Sequence, residues 1–356
     1  MIKTKLKKTG KYLLRALYVF LITLAFVLIF LLGGIAVLVK GPSSEAKSLF
    51  VQTVKETSAA GFLAHIFLSD DEVNEIIARS DVEDYEVDTS LIRIEHSGSY
   101  VTHDRPVKDT SVDTSDETGQ SSAAPEEKKD LEVVEVKGNT YKGTLMIVRD
   151  PSRVILGTPD AYGSDKYGLV LREMCKKHGA VGGINAGGFY DVNGSGTGGI
   201  PDGIVIKDGE LMWGQPSTTS TVIGFDKNNV LRVGWMSAQN ALDLGMRDAC
   251  SFGPALIVNG RPMNEKYKLG GGVNPRTAIG QTSDGTVLLL VIDGRSISSL
   301  GVTYDDLIDI MLSYGAVNAA NLDGGSSTLM VYNGETVNSS AYLFGERILA
   351  TAFLVK

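Results

Sequence analysis

The sequence predicts an α+β fold: a mixed β-sheet domain with a few helices, preceded by an N-terminal transmembrane helix and a helical stalk. Three observations lead there. An uncharged run of 24 residues follows a lysine-rich start, and apolar residues then recur at helical spacing to about residue 80. From Leu131 onward, short β-type runs are separated by Gly, Asn and Asp, with too few helical stretches for a regular β/α alternation.

Lys3, Lys5, Lys7, Lys8, Lys11 and Arg15 precede residues 16–39, ALYVFLITLAFVLIFLLGGIAVLV. At roughly 1.5 Å per residue this run covers the ~30 Å of bilayer hydrocarbon. The apolar core of a cleaved signal peptide is about 7–15 residues long and precedes a small-residue site, so the longer run reads as a retained anchor. A buried core helix would show a polar face, and this one has none. Basic flanks stay in the cytoplasm. Residues 1–15 are therefore assigned as a cytoplasmic segment, and the expectation is a single-pass cell-membrane protein whose C-terminal domain is extracellular.

Residues 40–102 read as a juxtamembrane stalk, helical from 43 to about 80, with Ser69 and Glu72 spaced as a capping box. His65 lies in an apolar stretch and reads as a packed core histidine. Residues 103–130 carry no aromatics and are rich in Asp, Glu, Ser and Thr. Such a composition buries too little apolar surface to order itself, which predicts a disordered linker. The domain proper is expected over 131–356.

Within it, LEVVEVKG, YKGTLMIVRD and RVILG read as strands, and SDKYGLVLREMCKKHG as a helix closed by Gly179. GIVIKDGEL and TVIGFDKNNVLRVG hold Asp-Gly and Asn-Asn turns between alternating runs and read as hairpins. TAIGQTSDGTVLLLVIDG is a third hairpin, its second strand apolar enough to be central in a sheet. Thr303 and Asp306 then cap a helix that ends at Gly315.

Composition excludes some functions. The formal charge is −8, from 34 Lys+Arg against 42 Asp+Glu, and the basic residues concentrate at the extreme N-terminus, which argues against nucleic acid as a partner. Cys175 and Cys250 are the only cysteines, and neither stands in a zinc-type spacing. GSGTGG fits a dinucleotide fingerprint in form, but Ile200-Pro201 follows where a helix should open. DVNGSGTGGIPD places Asp191, Asn193 and Ser195 at ligand positions of an EF-hand-like loop, with no flanking helices; calcium is the one cofactor this admits, and a metal-free, glycine-rich substrate loop is the preferred reading. His178 reads as a helix-end cation.

Four polar, glycine-rich segments fall at strand ends: GGINAGGFYD, GGGVNPRTAIG, VIDGR and NLDGGSST. Any one of them is a turn signal. If all four converge, they gather Asn185, Asp191, Arg276, Asp293, Arg295, Asp323 and several hydroxyls around one cleft, with glycines allowing close backbone approach. Carboxylates beside guanidinium suit a substrate that carries both hydroxyls and an anion.

In this order and spacing, NAGGFYD, NPRTAIG, VIDGR and NLDGGSSTLM resemble the phosphodiester glycosidase family, whose members include exopolysaccharide-associated bacterial proteins. The resemblance covers about residues 131–356. One departure is that a member of that family resembles Asp-Gly-Gly-Gly-Ser at the last motif, whereas Ser326 takes the third glycine's place here. The resemblance implies hydrolysis of a phosphodiester-linked sugar between its anomeric carbon and a phosphate oxygen. In that reaction Arg276, with Arg295 second, would hold the phosphate. Asp293 and Asp323 are the candidate catalytic carboxylates, their division of labour left open. Asn185, Asp191, Ser327 and Thr328 would contact sugar, and Gly187, Gly188, Gly324 and Gly325 would offer backbone N–H groups to the anion. The expected activity is thus an extracellular hydrolase acting on a cell-surface or exopolysaccharide glycan; the other reading is a non-catalytic polysaccharide-binding or assembly protein of the cell envelope.

Overall fold

The structure is a computed structural model and describes residues 2–55, 61–77, 86–94, 129–191, 195–265, 269–339, 341–342 and 345–356. The chain forms two compact units, residues 1–79 with 270–272, and residues 80–269 with 273–356.

In the first unit, helix α1 (Ile2–Lys40) runs unbroken from the basic segment through the apolar one. Its stretch Lys11–Lys40 is long and apolar enough to cross a membrane. Helices α2 (Ser44–Lys55) and α3 (Asp70–Ile77) follow. The spaced Ser69 and Glu72 do cap α3: Ser69 N donates to Glu72 Oε2 at 2.9 Å, and Glu72 N to Ser69 Oγ at 3.3 Å. Val39, Val51, Val54, Ala64, Leu68 and Val73 form this unit's core. His65 is exposed rather than packed within it, because Asp70 Oδ1 holds its Nδ1 at 2.8 Å. The linker expected at 103–130 lies, up to residue 128, outside the described residues. Residues 86–94, which fall in the stretch read as stalk beyond its expected helix, are extended around a short turn at Thr89–Leu91 and belong to the second unit. There Asn259 clasps them, accepting from Asp88 N at 2.8 Å and donating to Glu86 O at 2.9 Å.

The second unit is built of antiparallel strands. β1 (Leu131–Lys137), β2 (Lys142–Val148) and β3 (Val154–Gly157) match the expected runs. The next helix is shorter than expected. Leu169–Val170 form a strand, β4, paired with Ile348–Leu349, and Gly168 lies so close to the Leu349 carbonyl that a Cβ would be 1.9 Å from it; helix α4 therefore starts only at Leu171 and runs to His178. Gly179, at φ 65°, closes it. β5 (Gly182–Asn185) follows.

The predicted hairpins form as β6 (Val205–Lys207) with β7 (Glu210–Trp213), and β8 (Thr219–Asp226) with β9 (Leu231–Ser237). Asp208 and Gly209 take positive φ in the first turn, as a two-residue hairpin loop requires. Helix α5 (Ala238–Asp243) leads to β10 (Met246–Ser251), β11 (Ala255–Val258) and β12 (Arg261–Pro262). The third hairpin is β13 (Arg276–Thr282) with β14 (Val287–Ile292), and helix α6 (Tyr304–Ser313) opens with the Thr303–Asp306 capping box. β15 (Ala316–Leu322), β16 (Met330–Tyr332), β17 (Glu335–Thr336), β18 (Ile348–Leu349) and β19 (Ala352–Val355) complete the chain.

The strands form a seven-stranded sheet in the order β1-β2-β14-β13-β15-β11-β12 and two five-stranded sheets, β7-β6-β10-β8-β9 and β17-β16-β5-β19-β3. β14 is central, as its unbroken apolar run predicts. One core cluster joins the sheets through side chains such as Leu289, Ile279, Ile223, Val233, Ile184 and Phe353. The fold class is thus α+β, as the sequence indicates. What positions the site is the middle of the large sheet: β13 begins beside the ends of β14 and β15, with Arg276 paired to Ile292 and Thr277 to Leu322.

Candidate active site

Asn185 ends β5 and is fully buried. Its Oδ1 accepts from Thr277 Oγ1 at 2.8 Å and from Leu329 N at 3.0 Å, while Nδ2 donates to the Asp323 carbonyl. Both lone pairs of Oδ1 are used inside the protein. Asn185 therefore clasps three of the four motif segments together, a role different from the sugar contact expected of it. The Asp323 amide completes the clasp by donating to Ala186 O at 2.9 Å.

Register brings Asp323 next to Arg276, since Leu322 pairs with Thr277. Asp323 keeps part of its surface open, yet protein crowds its carboxyl, and burial pushes its pKa up to about 7. The nearby charges of Asp191 and Asp202 push in the same direction; a hydrogen bond from Ser327 and the charge of Arg347 oppose them. Asp202, an exposed residue whose carboxyl pKa is nonetheless raised by desolvation, lies against Gly188, where a Cβ would come within 3.0 Å of its Oδ2.

On the other flank of Arg276, Asp293 follows β14. Its Oδ1 accepts from Ser339 N at 2.9 Å and Asn338 Nδ2 at 3.2 Å. Burial raises its pKa and these two bonds oppose the rise. The charges that act on Asp323 are not those that act on Asp293, so the two acids occupy separate environments on either side of β13.

Arg276 is buried, its guanidinium lying 4.2 Å over the Tyr304 ring at the start of α6, with Nε donating to Val302 O at 3.3 Å. Arg295 takes a positive φ of 55° and donates from Nη2 to Asn274 Oδ1 at 3.1 Å. Its guanidinium faces Gly325, where a Cβ would lie 3.2 Å from Nη2. Arginines from two motifs thus flank the Asp323–Thr328 turn. In that turn Ser327 bonds Asp323, and the buried Thr328 Oγ1 has no hydrogen-bond partner among the described residues. Such an orphan hydroxyl in a polar wall suits a ligand contact.

Of the glycine N–H groups expected to meet an anion, Gly187 donates to Thr351 Oγ1 at 2.8 Å, Gly188 to Ser251 O at 3.2 Å and Gly325 to Pro275 O at 2.9 Å. Only the amide of Gly324 lacks a protein partner among the described residues. Three of these glycines serve close packing within the protein instead.

Sequence reading missed Arg347. It is 3 % exposed, forms an ion pair with Asp191, and lies 5.1 Å over the Phe189 ring and 5.4 Å over that of Tyr342. Asp191, whose other oxygen accepts from Gly196 N at 2.6 Å, is turned to this arginine, and that accounts for the carboxylate read as a calcium ligand or sugar contact. Asn193, the second position of that loop, lies outside the described residues. Arg347 sits in a stretch with neither a glycine-rich turn nor a strand pattern before it, and only its tertiary pairing with Asp191 gives it away. Cys175 and Cys250 are buried and free.

The profile described as phosphodiester glycosidase matches residues 178–356. Among curated proteins, the SPbeta prophage-derived uncharacterized protein YomE of Bacillus subtilis (strain 168) is 33% identical over 186 residues, 49% of this chain. The N-acetylglucosamine-1-phosphodiester alpha-N-acetylglucosaminidase of Bos taurus is 37% identical over 62 residues, 17% of this chain. The match spans only 28% of the first relative and 12% of the second. The zebrafish N-acetylglucosamine-1-phosphodiester alpha-N-acetylglucosaminidase catalytic domain, auto-inhibited by its pro-peptide, shares the fold at a TM-score of 0.53 and 21% identity, over 64% of this chain and 84% of that one.

Proposed function

Because this chain belongs to the phosphodiester glycosidase family, we propose that it hydrolyses the glycosidic bond of a sugar-1-phosphodiester in a cell-surface or exopolysaccharide glycan, from a membrane anchor and outside the cell. The bovine relative's name states a sugar-1-phosphodiester as what that protein acts on. The observation that carries the reading is Asp323, a carboxyl whose pKa burial pushes up to about 7, on the turn after β15 that the register sets next to the start of β13, where Arg276 stands.

In the proposed reaction the bond between anomeric carbon and phosphate oxygen breaks, and its electron pair leaves with the phosphate as a phosphomonoester. That leaving group departs far more readily than a sugar alkoxide, so a strong general acid is unnecessary. Water adds to the anomeric carbon, and its proton passes to ionised Asp323, a base matched to neutral pH. Arg276 and Arg295 hold the phosphate, since a guanidinium meets phosphate oxygens with paired donors. Asp293 steadies positive charge as it grows on the sugar. Arg347, fixed by Asp191, keeps enough Asp323 ionised to act, and Ser327 orients it. Thr328 Oγ1 and the Gly324 amide are offered to the substrate.

The test incubates the detergent-solubilised full chain with a panel of sugar-1-phosphodiesters that varies the sugar, the anomer and the aglycone, and measures free sugar and phosphomonoester. Release of both in equal amounts is expected. A folded chain that binds such diesters and releases no sugar from any of them overturns the hydrolase and leaves a polysaccharide-binding protein.

A further inference from the structure

β9 is an edge strand, and Trp235 on it is 51% exposed, a large apolar surface to leave in water. The indole borders a cavity of about 370 Å³, within the ~300–1,000 Å³ range of small-ligand sites. Its other walls include Glu86, Arg232, Asn240 and Leu244. The walls are fixed in place. Arg232 Nε donates to Asp226 Oδ2 at 2.9 Å, Asn259 holds the backbone on both sides of Val87, and Asn240 lies in α5, its amide bonded to the capping Ser237.

The polar ends of these side chains are uncommitted. Among the described residues, no hydrogen bond engages the Glu86 carboxylate, the Asn240 carboxamide, the Trp235 indole N–H or the terminal nitrogens of Arg232. An indole face is the complement of the C–H face of a pyranose. Planar carboxylate, amide and guanidinium groups each bridge adjacent hydroxyls with paired hydrogen bonds. A purely apolar partner would leave four such groups without partners, whereas an oligosaccharide engages them.

The cavity also has a connection to the catalytic wall. Trp235 pairs across the sheet with Thr221, whose carbonyl accepts from Phe252 N at 3.3 Å, and the Phe252 ring packs against Gly188 beside Asp202. We propose that the Trp235 groove is a distal saccharide subsite, which binds hexopyranose units of the same glycan whose phosphodiester occupies the Asp323 site. The ligand class rests on the proposed glycan substrate; the groove's own chemistry does not depend on catalysis.

The experiment uses the full chain in detergent with Trp213→Phe, which leaves Trp235 as the sole tryptophan. Its fluorescence is titrated with maltohexaose, cellohexaose and chitohexaose, and binding of the same probes is followed by saturation-transfer NMR. At least one probe is expected to give saturable binding that weakens about tenfold or more in Trp235→Ala and falls in Asn240→Ala. Asp323→Asn should leave that affinity unchanged. Absence of saturable binding by all three probes, survival of binding in Trp235→Ala, or its loss in Asp323→Asn each overturns the proposal. So does a concentration-dependent dimer that Trp235→Ala disperses, because a second copy would then cover the groove. Probe binding by a chain that hydrolyses no diester would sink the proposed reaction and leave the subsite standing.

Discussion

Replacing Asp323 with Asn should make the protein more stable while removing its activity. A carboxyl that ordinarily ionises near 3.8 ionises here at about 7, chiefly because the fold withholds water from it. Each pH unit between those values costs about 1.4 kcal/mol of folding free energy, ~4 kcal/mol in all. Part of the side chain is open to solvent, and screening trims the expected figure to ~2–4 kcal/mol. The sign follows from which state holds the proton more tightly. The folded pKa is raised, so below about pH 4, where Asp323 is protonated in both states, it costs nothing; stability is lost as pH rises, and the full cost stands above about pH 7. Asn keeps the shape and an acceptor for Ser327 but never ionises. At about pH 8 the variant should therefore gain ~2–4 kcal/mol over the wild type, or ~4–16 °C in Tm for a domain of this size, and the gain should vanish near pH 4. Differential scanning calorimetry of both proteins across that range is the assay. A variant no more stable than wild type at the higher pH, or a gain that persists at the lower one, would refute the assignment of Asp323 as a strained, desolvated acid.

Three further outcomes are expected. Arg347→Gln removes the charge that favours ionised Asp323 and leaves Asp191 unpaired beside it; both effects raise the Asp323 pKa, so the acidic limb of the kcat/KM profile should move upward by on the order of one pH unit, and a stationary limb would count against the pairing. Asn185→Ala strips the acceptor from buried Thr277 Oγ1 and Leu329 N, at ~1–3 kcal/mol for each orphaned group; chemical denaturation showing a loss under ~1 kcal/mol would mean that the clasp carries little. Protease added outside intact cells should degrade the domain past Lys40, and full protection there would contradict the proposed orientation.

Much of the sheet domain was legible because its signals are local. Asp208-Gly209 fixes its hairpin by the φ values it permits, Thr303 and Asp306 cap α6 within four residues, and the apolar run of β14 can only be central. The same locality placed Arg276, Asp293 and Asp323 at strand ends, where the register sets the two acids on either side of β13. What could not be read depends on partners distant in the chain. The Arg347–Asp191 pair, the Arg276–Tyr304 stack and the Asn185 clasp leave no periodic trace in sequence. Helix α4 starts late for the same reason, since Leu169–Val170 are taken into pairing by a strand from the far end of the chain. His65 departs from the packed position its apolar neighbours suggest, because a neighbourhood in sequence says nothing of Asp70 across the turn.

In the proposed reaction the bond broken lies between the anomeric carbon and the phosphate oxygen. The reaction should be run in water enriched in oxygen-18, with the phosphomonoester product analysed by mass spectrometry. The proposed site attacks carbon, so that product should carry no heavy oxygen and its amount should match the sugar released. Heavy oxygen in the phosphate would place the attack at phosphorus, and the account of Asp323, Asp293 and the arginines as a glycosidase site would be contradicted.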